Sequence, residues 1–466
     1  MKLMNSVIVC RALLLFILFT LQWIPVSAIT SDQLNVEAQL RKAVAEQQLN
    51  FPVLTQKIYR DRAFQSLWFN SDLKHNVLWK AADLIPIITH YGLNQRDYHC
   101  EQLSAGNLNS ILESSLREAD KPRIDILLTD AMLSLTAHLH YGKSNPSFSR
   151  SMIDSEQFKG LKVDSLLLAA TRSQDFQTAI LSVQPVYQGY RDLQEYMKLL
   201  VGQYIGDCYE ISDETVKLIA LNLERWRWLN TLTERYVLIN IPAFGLKYIN
   251  GDQAEEFKII VGKPATPTPV LSSKIRFFTT APDWTVPPNI AKNELIPKAI
   301  KNPSYLKDNN FRIYDKKGKT IEPTAENLVT VRSKISAYTI RQSPGCDNAL
   351  GQIVFNFENP YSVYLHDTPD RSLFNRSNRA LSHGCIRVEK SERLAELFLE
   401  NDNSSKMISE VHSAMKQYKR KKIHLKKPIP ISINYFTCEV KDGILHTYKD
   451  LYNKDKSLAK AMNLDK

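Results

Sequence analysis

The amino-acid sequence predicts an α+β protein, helical in its first half and mainly β in its second. Three observations carry that prediction. Apolar residues recur with a helical period up to about residue 230, short β-branched and aromatic runs replace them from 231 onward, and a stretch rich in Pro, Lys and Asn interrupts those runs over 281–345.

The 466 residues suffice for two or three domains, and 44% apolar with 9% aromatic residues supply packed cores, which excludes a disordered chain. Residues 1–28 read as an export signal, because Lys2 and Arg11 precede an apolar run from Ala12 to Leu21 and Val26, Ser27 and Ala28 form a small-residue cleavage site. An uncleaved inner-membrane anchor is the competing reading, since Trp23, Ile24 and Val26 prolong the run. No later stretch reaches the ~18 apolar residues of a transmembrane helix, so the rest of the chain is expected in one aqueous compartment.

Export implies an oxidising setting, where cysteines normally pair. Cleavage would leave Cys100, Cys208, Cys346, Cys385 and Cys438, an odd number without a C-x-x-C pair, so at least one thiol is left over. The net charge of +11 suits an anionic partner, and for an exported chain a carboxylate-rich wall polymer or a membrane surface fits better than nucleic acid. The densest basic run, Lys419 to Lys422 with Lys426 and Lys427, reads as a solvated segment.

Within 29–230, expected as a helical scaffold domain, Ile124, Leu127, Leu128, Ala131, Met132, Leu135 and Leu139 form one apolar stripe, ended by the Asn and Pro that follow Gly142. Val36, Leu40, Ala43 and Val44 give a weaker stripe, and Val216, Ile219, Ala220 and Leu223 a third that leads into Glu224-Arg225-Trp226-Arg227-Trp228. His138 and His140 read as packed or surface histidines, because no metal signature accompanies them. From 231 to 455 a mainly β domain is expected. Its strands are Tyr236 to Ile241, Phe257 to Val261, Ile275 to Thr279, Gln352 to Phe357, Tyr361 to His366 and Ile429 to Phe436. Asp442-Gly443 reads as a hairpin turn and Lys263 to Pro269, with three prolines, as a loop. The 281–345 excursion reads as a capping loop, and 456–466 as a tail.

Chemistry concentrates in Tyr364-Leu365-His366-Asp367-Thr368-Pro369 and Ser382-His383-Gly384-Cys385-Ile386-Arg387-Val388. A cysteine attacks as thiolate, and with a free pKa of about 8.5 it needs an imidazole or a positive field nearby. Two histidines qualify. His366 ends an alternating strand on which Tyr364 shares its face, whereas His383 lies two residues before the cysteine. Gly384 permits a tight turn, so the amides of Gly384 and Cys385 are candidate oxyanion donors. From spacing alone, a nucleophile, an incomplete zinc site and an inert packed thiol stand about level.

His366, fifteen intervening residues and then Ser382-His383-Gly384-Cys385 resembles the signature of L,D-transpeptidases with a YkuD-type catalytic domain, H-x(14–17)-[ST]-H-G-C. The resemblance extends to the large Gram-negative (YcbB-like) branch through Arg341 to Gly345, Asn348 to Gly351, Leu373-Phe374, Asn222 to Trp228, Trp284 to Pro287 and Tyr435 to Thr437. It covers about residues 215–455, with a weaker echo from Leu128 to Lys143. It implies Cys385 as nucleophile, His366 as its base, and Ser382, His383 and Gly384 as shapers of the oxyanion environment. Tyr364, Arg387 and Trp284 are implied as substrate contacts, the capping excursion covers the cleft, and no metal or organic cofactor is required. The implied partners are peptidoglycan stem peptides, a donor tetrapeptide and an acceptor diaminopimelate, and other wall-synthesis proteins, with the periplasm as location. Two departures stand out: the segment from Tyr204 to Glu224 has no room for the branch's peptidoglycan-binding module, and Cys346 stands where the pattern has proline.

Overall fold

The computed structural model describes residues 31–69, 76–113, 115–157, 159–202, 213–229 and 234–464; the export signal over 1–28 and Cys208 lie outside them. The chain divides into two compact units. One comprises the residues up to Ile87 with Gln95–His138 and Arg150–Val183; the other comprises Ile88–Asn94, Leu139–Ser149 and everything from Gln184 on.

The first unit is built of helices. Its longest, Lys121–Tyr141, buries Ile124, Leu127, Leu128, Ala131, Met132 and Leu135 as its stripe requires. His138 is packed, with Nδ1 2.9 Å from Tyr98 Oη. Among the described residues no helix is long and apolar enough to cross a membrane.

The scaffold expected over 29–230 is cut shorter, because contacts assign the residues from Gln184 to the second unit. The reason is the Asp213–Arg227 helix. Its stripe, Ile219, Ala220, Leu223 and Trp226, shares a core with Leu238 and Phe436, and Trp226 stacks on Phe436 at 4.5 Å.

The second unit holds the strands: β1 (Arg235–Asn240), β2 (Gly245–Asn250), β3 (Gln253–Gly262), β4 (Leu271–Thr280), β5 (Trp284–Thr285), β6 (Phe311–Asp315), β7 (Thr320–Ile321) and β8 (Tyr338–Gln342). After them come β9 (Ile353–Phe357), β10 (Leu365–His366), β11 (Ala380–Ser382), β12 (Ile386–Val388), β13 (Lys421–Asn434), β14 (Cys438–Lys441) and β15 (Ile444–Thr447). Pairing runs β3-β12-β10-β9-β4-β13-β1-β2 and returns to β3, so the sheet closes on itself, with β11 added beside β3. Closure leaves no free edge along this ring. Its core joins Val237, Leu246, Phe257, Phe355, Leu365 and Ile386 to Phe398 of the Ser391–Asn401 helix.

Three expectations change. The 281–345 excursion is a folded subdomain: β5, β8, β6 and β7 form a separate four-stranded sheet, and Val286, Leu295, Ile296, Ile313, Leu328 and Ile340 give it a core of its own. Its apolar residues are spread thinly among Lys, Asn and Pro, which is why they read as loop. The basic run is solvated as expected, with Lys419, Arg420, Lys422, Lys426 and Lys427 exposed, but from Lys421 it opens β13, the longest described strand, with Lys422 Nζ 3.8 Å from the Phe277 ring centroid. The tail contains the Asp455–Ala461 helix, whose Leu458 and Ala459 pack with Leu221.

Candidate active site

Strand pairing assembles the site. β10 and β12 run parallel with Leu365 opposite Ile386 and His366 opposite Arg387, and the Ile386 amide donates to Tyr364 O at 3.1 Å. Leu365 and Ile386 are fully buried in the core. Alternation then turns Tyr364, His366, Cys385 and Arg387 to the opposite face, where they form a four-residue cluster. Tyr364 is the direct neighbour of Cys385, and its amide and hydroxyl both interact with the sulfur. His366 lies diagonally across, its ring 5.7 Å from that of Tyr364.

His366 Nδ1 sits 2.6 Å from Asp367 O. A carbonyl only accepts, so Nδ1 carries the proton and Nε2 keeps the lone pair. Burial, then the neighbouring Arg387 guanidinium, push the imidazole down to about 3, so the ring is neutral at pH 7 and free to take a proton. Asp367 is itself held: its Oδ2 accepts from the Gln352 amide at 2.9 Å, and a Cβ on Gly351 would meet that oxygen at 2.4 Å. Glycine at 351 is therefore a space requirement of the turn before β9, where Asp367 packs beside the histidine.

The Cys385 thiol differs from the expectation of a preformed thiolate. Burial pushes it up, opposed by the Tyr364 donors and by Arg387. The resting pair is thus a neutral thiol and a neutral imidazole, because the pocket that shields the site also withholds the water that would solvate a charge.

The turn before Cys385 is fastened from below. Ser382 Oγ accepts from the Gly384 amide at 3.1 Å and donates to Cys385 O at 2.5 Å. Thr268 Oγ1 donates to Gly384 O at 2.8 Å while accepting from the Gly262 amide at 2.9 Å. Gly384 has φ +117°, which favours glycine. Its amide is spent on Ser382, so Gly384 shapes the turn and is not a free oxyanion donor. His383 also departs from the expected role: its Nε2 is bonded to Glu294 Oε1 of the 281–345 subdomain at 2.6 Å.

The same subdomain reaches the cluster through Trp284, whose side chain interacts with the Tyr364 hydroxyl. Burial and Cys385 push that hydroxyl up, so it stays a donor. Arg387 has one distant ion pair, 3.9 Å to Asp370, and a buried Nε without a partner in the described residues. Sequence reading missed Thr268 and Glu294. Thr268 lies in the proline loop already recognised, and nothing local to Glu294 links it to a histidine 89 positions later.

The described cysteines, Cys100, Cys346, Cys385 and Cys438, are all free thiols. Cys346 is exposed with Sγ 3.4 Å from Asp347 Oδ1. Cys438 is buried, and burial raises it to about 12.

Residues 234–408 match the L,D-transpeptidase catalytic domain family, YkuD, and residues 53–197 match a scaffold domain family. The chain is 27% identical over 426 residues to a protein of Haemophilus influenzae named "Putative L,D-transpeptidase", an alignment that covers 90% of this chain and 81% of that one. The chain thus carries an L,D-transpeptidase catalytic domain of the YkuD type behind a helical scaffold domain, and the Haemophilus relative aligns with it over most of its length.

Proposed function

We propose that this protein forms 3-3 cross-links between peptidoglycan stem peptides through a thioester on Cys385, working in the periplasm after export by the segment at 1–28. The observation that carries the reading is the placement of Cys385 and a neutral, Nδ1-protonated His366 on one face of adjacent parallel strands. In the first half-reaction Sγ attacks the carbonyl carbon of the third residue of a donor tetrapeptide while His366 Nε2 takes the thiol proton. The carbon–nitrogen bond to D-alanine breaks, that proton passes to the leaving amine, and the acyl group stays on sulfur. The side-chain amine of a diaminopimelate in a second stem then attacks the thioester, gives its proton to His366, and returns the thiol.

With the Gly384 amide occupied, the Cys385 amide and the Tyr364 hydroxyl are the donors left for the developing oxyanion. The partly unpartnered Arg387 guanidinium suits a stem carboxylate. Trp284, on the capping subdomain, orients the Tyr364 hydroxyl.

Incubation of the mature protein with tetrapeptide muropeptides tests the assignment. Appearance of 3-3 dimers supports it, tripeptides alone indicate an L,D-carboxypeptidase, exchanged termini with added D-amino acids indicate an exchange enzyme, and no change indicates a non-catalytic wall-binding scaffold. Mass spectrometry after carbapenem treatment checks the nucleophile: the adduct is expected on Cys385, absent in Cys385→Ala and retained in Cys346→Ala. An adduct elsewhere removes the assignment.

A further inference from the structure

Three successive peptide units surround Cys385, and their fastenings differ. The unit between His383 and Gly384 donates its N–H to Ser382 Oγ at 3.1 Å. The unit between Cys385 and Ile386 accepts from the same hydroxyl at its carbonyl, 2.5 Å away, and donates its N–H to Tyr364 O at 3.1 Å. The unit between them is planar and trans, so it carries the Gly384 carbonyl on one side and the Cys385 N–H on the other. That carbonyl accepts from Thr268 Oγ1 at 2.8 Å. The direction in which the Cys385 N–H points therefore follows from where Thr268 stands.

A fastening matters here because glycine precedes the plane. Gly384, at φ +117°, has no Cβ to resist its rotation, and a rotated plane would re-aim the N–H that a developing oxyanion needs. Donation to the carbonyl also polarises the peptide, which makes its N–H a stronger donor.

Thr268 is itself placed by a closed set of bonds. It is fully buried, and its Oγ1 accepts from the Gly262 amide at 2.9 Å. The loop between them holds Ser382 O through the Lys263 amide at 3.0 Å and Thr266 Oγ1 at 3.2 Å. Tyr452 ties the two ends of that loop together: its Oη donates to Gly262 O at 2.7 Å and accepts from the Thr268 amide at 3.2 Å. The Tyr452 amide in turn donates to Tyr435 Oη at 2.7 Å, and that hydroxyl donates to Asp450 Oδ1 at 2.6 Å. Tyr452 follows β15 and lies past the residues, 234–408, that match the catalytic domain family.

We propose that Thr268 and Tyr452 are positioning residues for acyl transfer at Cys385. The Thr268 hydroxyl fixes the Gly384–Cys385 peptide plane and thereby aims the Cys385 N–H at the developing oxyanion, and Tyr452 holds Thr268 in place. The proposal rests on the transpeptidase reading.

Two reactions at one sulfur separate this role from plain support of the turn. Acylation by a carbapenem builds an oxyanion, whereas alkylation by iodoacetamide displaces iodide at a saturated carbon and builds none. Both rates are read on the Cys385 peptide by mass spectrometry of the full mature chain, with circular dichroism reporting the fold. Thr268→Val should slow acylation at least about tenfold while alkylation stays within about twofold, and Thr268→Ser, which keeps the hydroxyl, should restore acylation. Tyr452→Phe should slow acylation about threefold with alkylation again unchanged. Tyr452 is only half-buried, so this variant carries the test should Thr268→Val fail to fold. Equal loss of both reactions, an unchanged acylation rate in folded Thr268→Val or in Tyr452→Phe, or no rescue by serine overturns the proposal. Alkylation without any acylation of the unmodified protein removes the transpeptidase reading and this proposal with it, whereas normal acylation with unaffected variants removes the proposal alone.

Discussion

Two groups of buried polar side chains, the carboxyls of Asp125 and Asp130 in the scaffold unit and the Cys385 cluster in the catalytic unit, are treated in opposite ways. Asp125, fully buried on the Lys121–Tyr141 helix, accepts from Tyr59 Oη at 2.5 Å and from the Leu67 and Trp68 amides at 2.8 Å, with Ser66 Oγ and the Phe69 amide as further donors. Five residues further along the same helix, Asp130 accepts from the Asn50 and Phe51 amides and bonds His99 Nε2 at 2.8 Å. Each carboxyl is surrounded by donors from segments far away in sequence, so it works as a fastening.

The Cys385 cluster is left short of partners. His366 meets only backbone carbonyls, of Asp367 and Leu350, Arg387 Nε has no partner among the described residues, and the thiol sits opposite a tyrosine hydroxyl. Saturated buried polar groups give rigidity, whereas unsaturated ones hold chemistry in reserve at a cost in stability. The comparison teaches that burial alone does not mark a functional residue; at the Cys385 cluster it is unfilled hydrogen-bonding capacity gathered around a nucleophile and a base that does.

The largest effect expected from this contrast is on the saturated side. Asp125→Ala should lower the stability of the protein by about 3–5 kcal/mol in urea unfolding, since it strands several buried donors together. The acylation rate of the folded fraction should stay within about twofold, and a large rate change would break the contrast.

His366→Gln should reverse the pattern. Acylation should slow by roughly 10²–10⁴-fold, the usual range for loss of a general base. The urea midpoint should move little, and a collapse of the fold would show the ring to be a fastening after all.

A pH titration of stability sharpens the same point. His366 sits at about 3 in the fold against about 6.5 unfolded, so between those values the unfolded chain binds more protons. The His366 contribution is therefore complete above about pH 6.5 and is lost as pH falls toward 3, a slope worth a few kcal/mol over the window. His366→Gln should flatten that slope, which circular dichroism during urea unfolding at several pH values reads directly. Thiolate absorbance near 240 nm should be absent for Cys385 at pH 7 and appear only above the ordinary thiol range of about 8.5.

The smallest effect expected is at Tyr364. Removing one hydroxyl donor with Tyr364→Phe should cost about 1–2 kcal/mol of barrier, a roughly tenfold slowing of acylation. Trp284→Phe should act in the same direction and no further, because it reaches the sulfur only through that hydroxyl.

Local pattern by itself determined the succession of helices and then strands, the extent of the Lys121–Tyr141 helix, the Asp442-Gly443 hairpin and the stretch that holds His366 and Cys385. Those features depend on residues a few positions apart, where periodicity and turn chemistry act directly. The short strands β11 and β12 left almost no periodic trace, β10 kept only the end of the strand expected over Tyr361 to His366, and the capping core was diluted among polar residues. Tertiary structure alone decided the rest. The parallel register that sets Tyr364 beside Cys385, the Ser382 oxygen that takes the Gly384 amide and the Glu294 that takes His383 all join residues through space. Strand pairing and hydrogen-bond saturation are properties of the folded whole, and a linear spacing carries no measure of which donor will already be occupied.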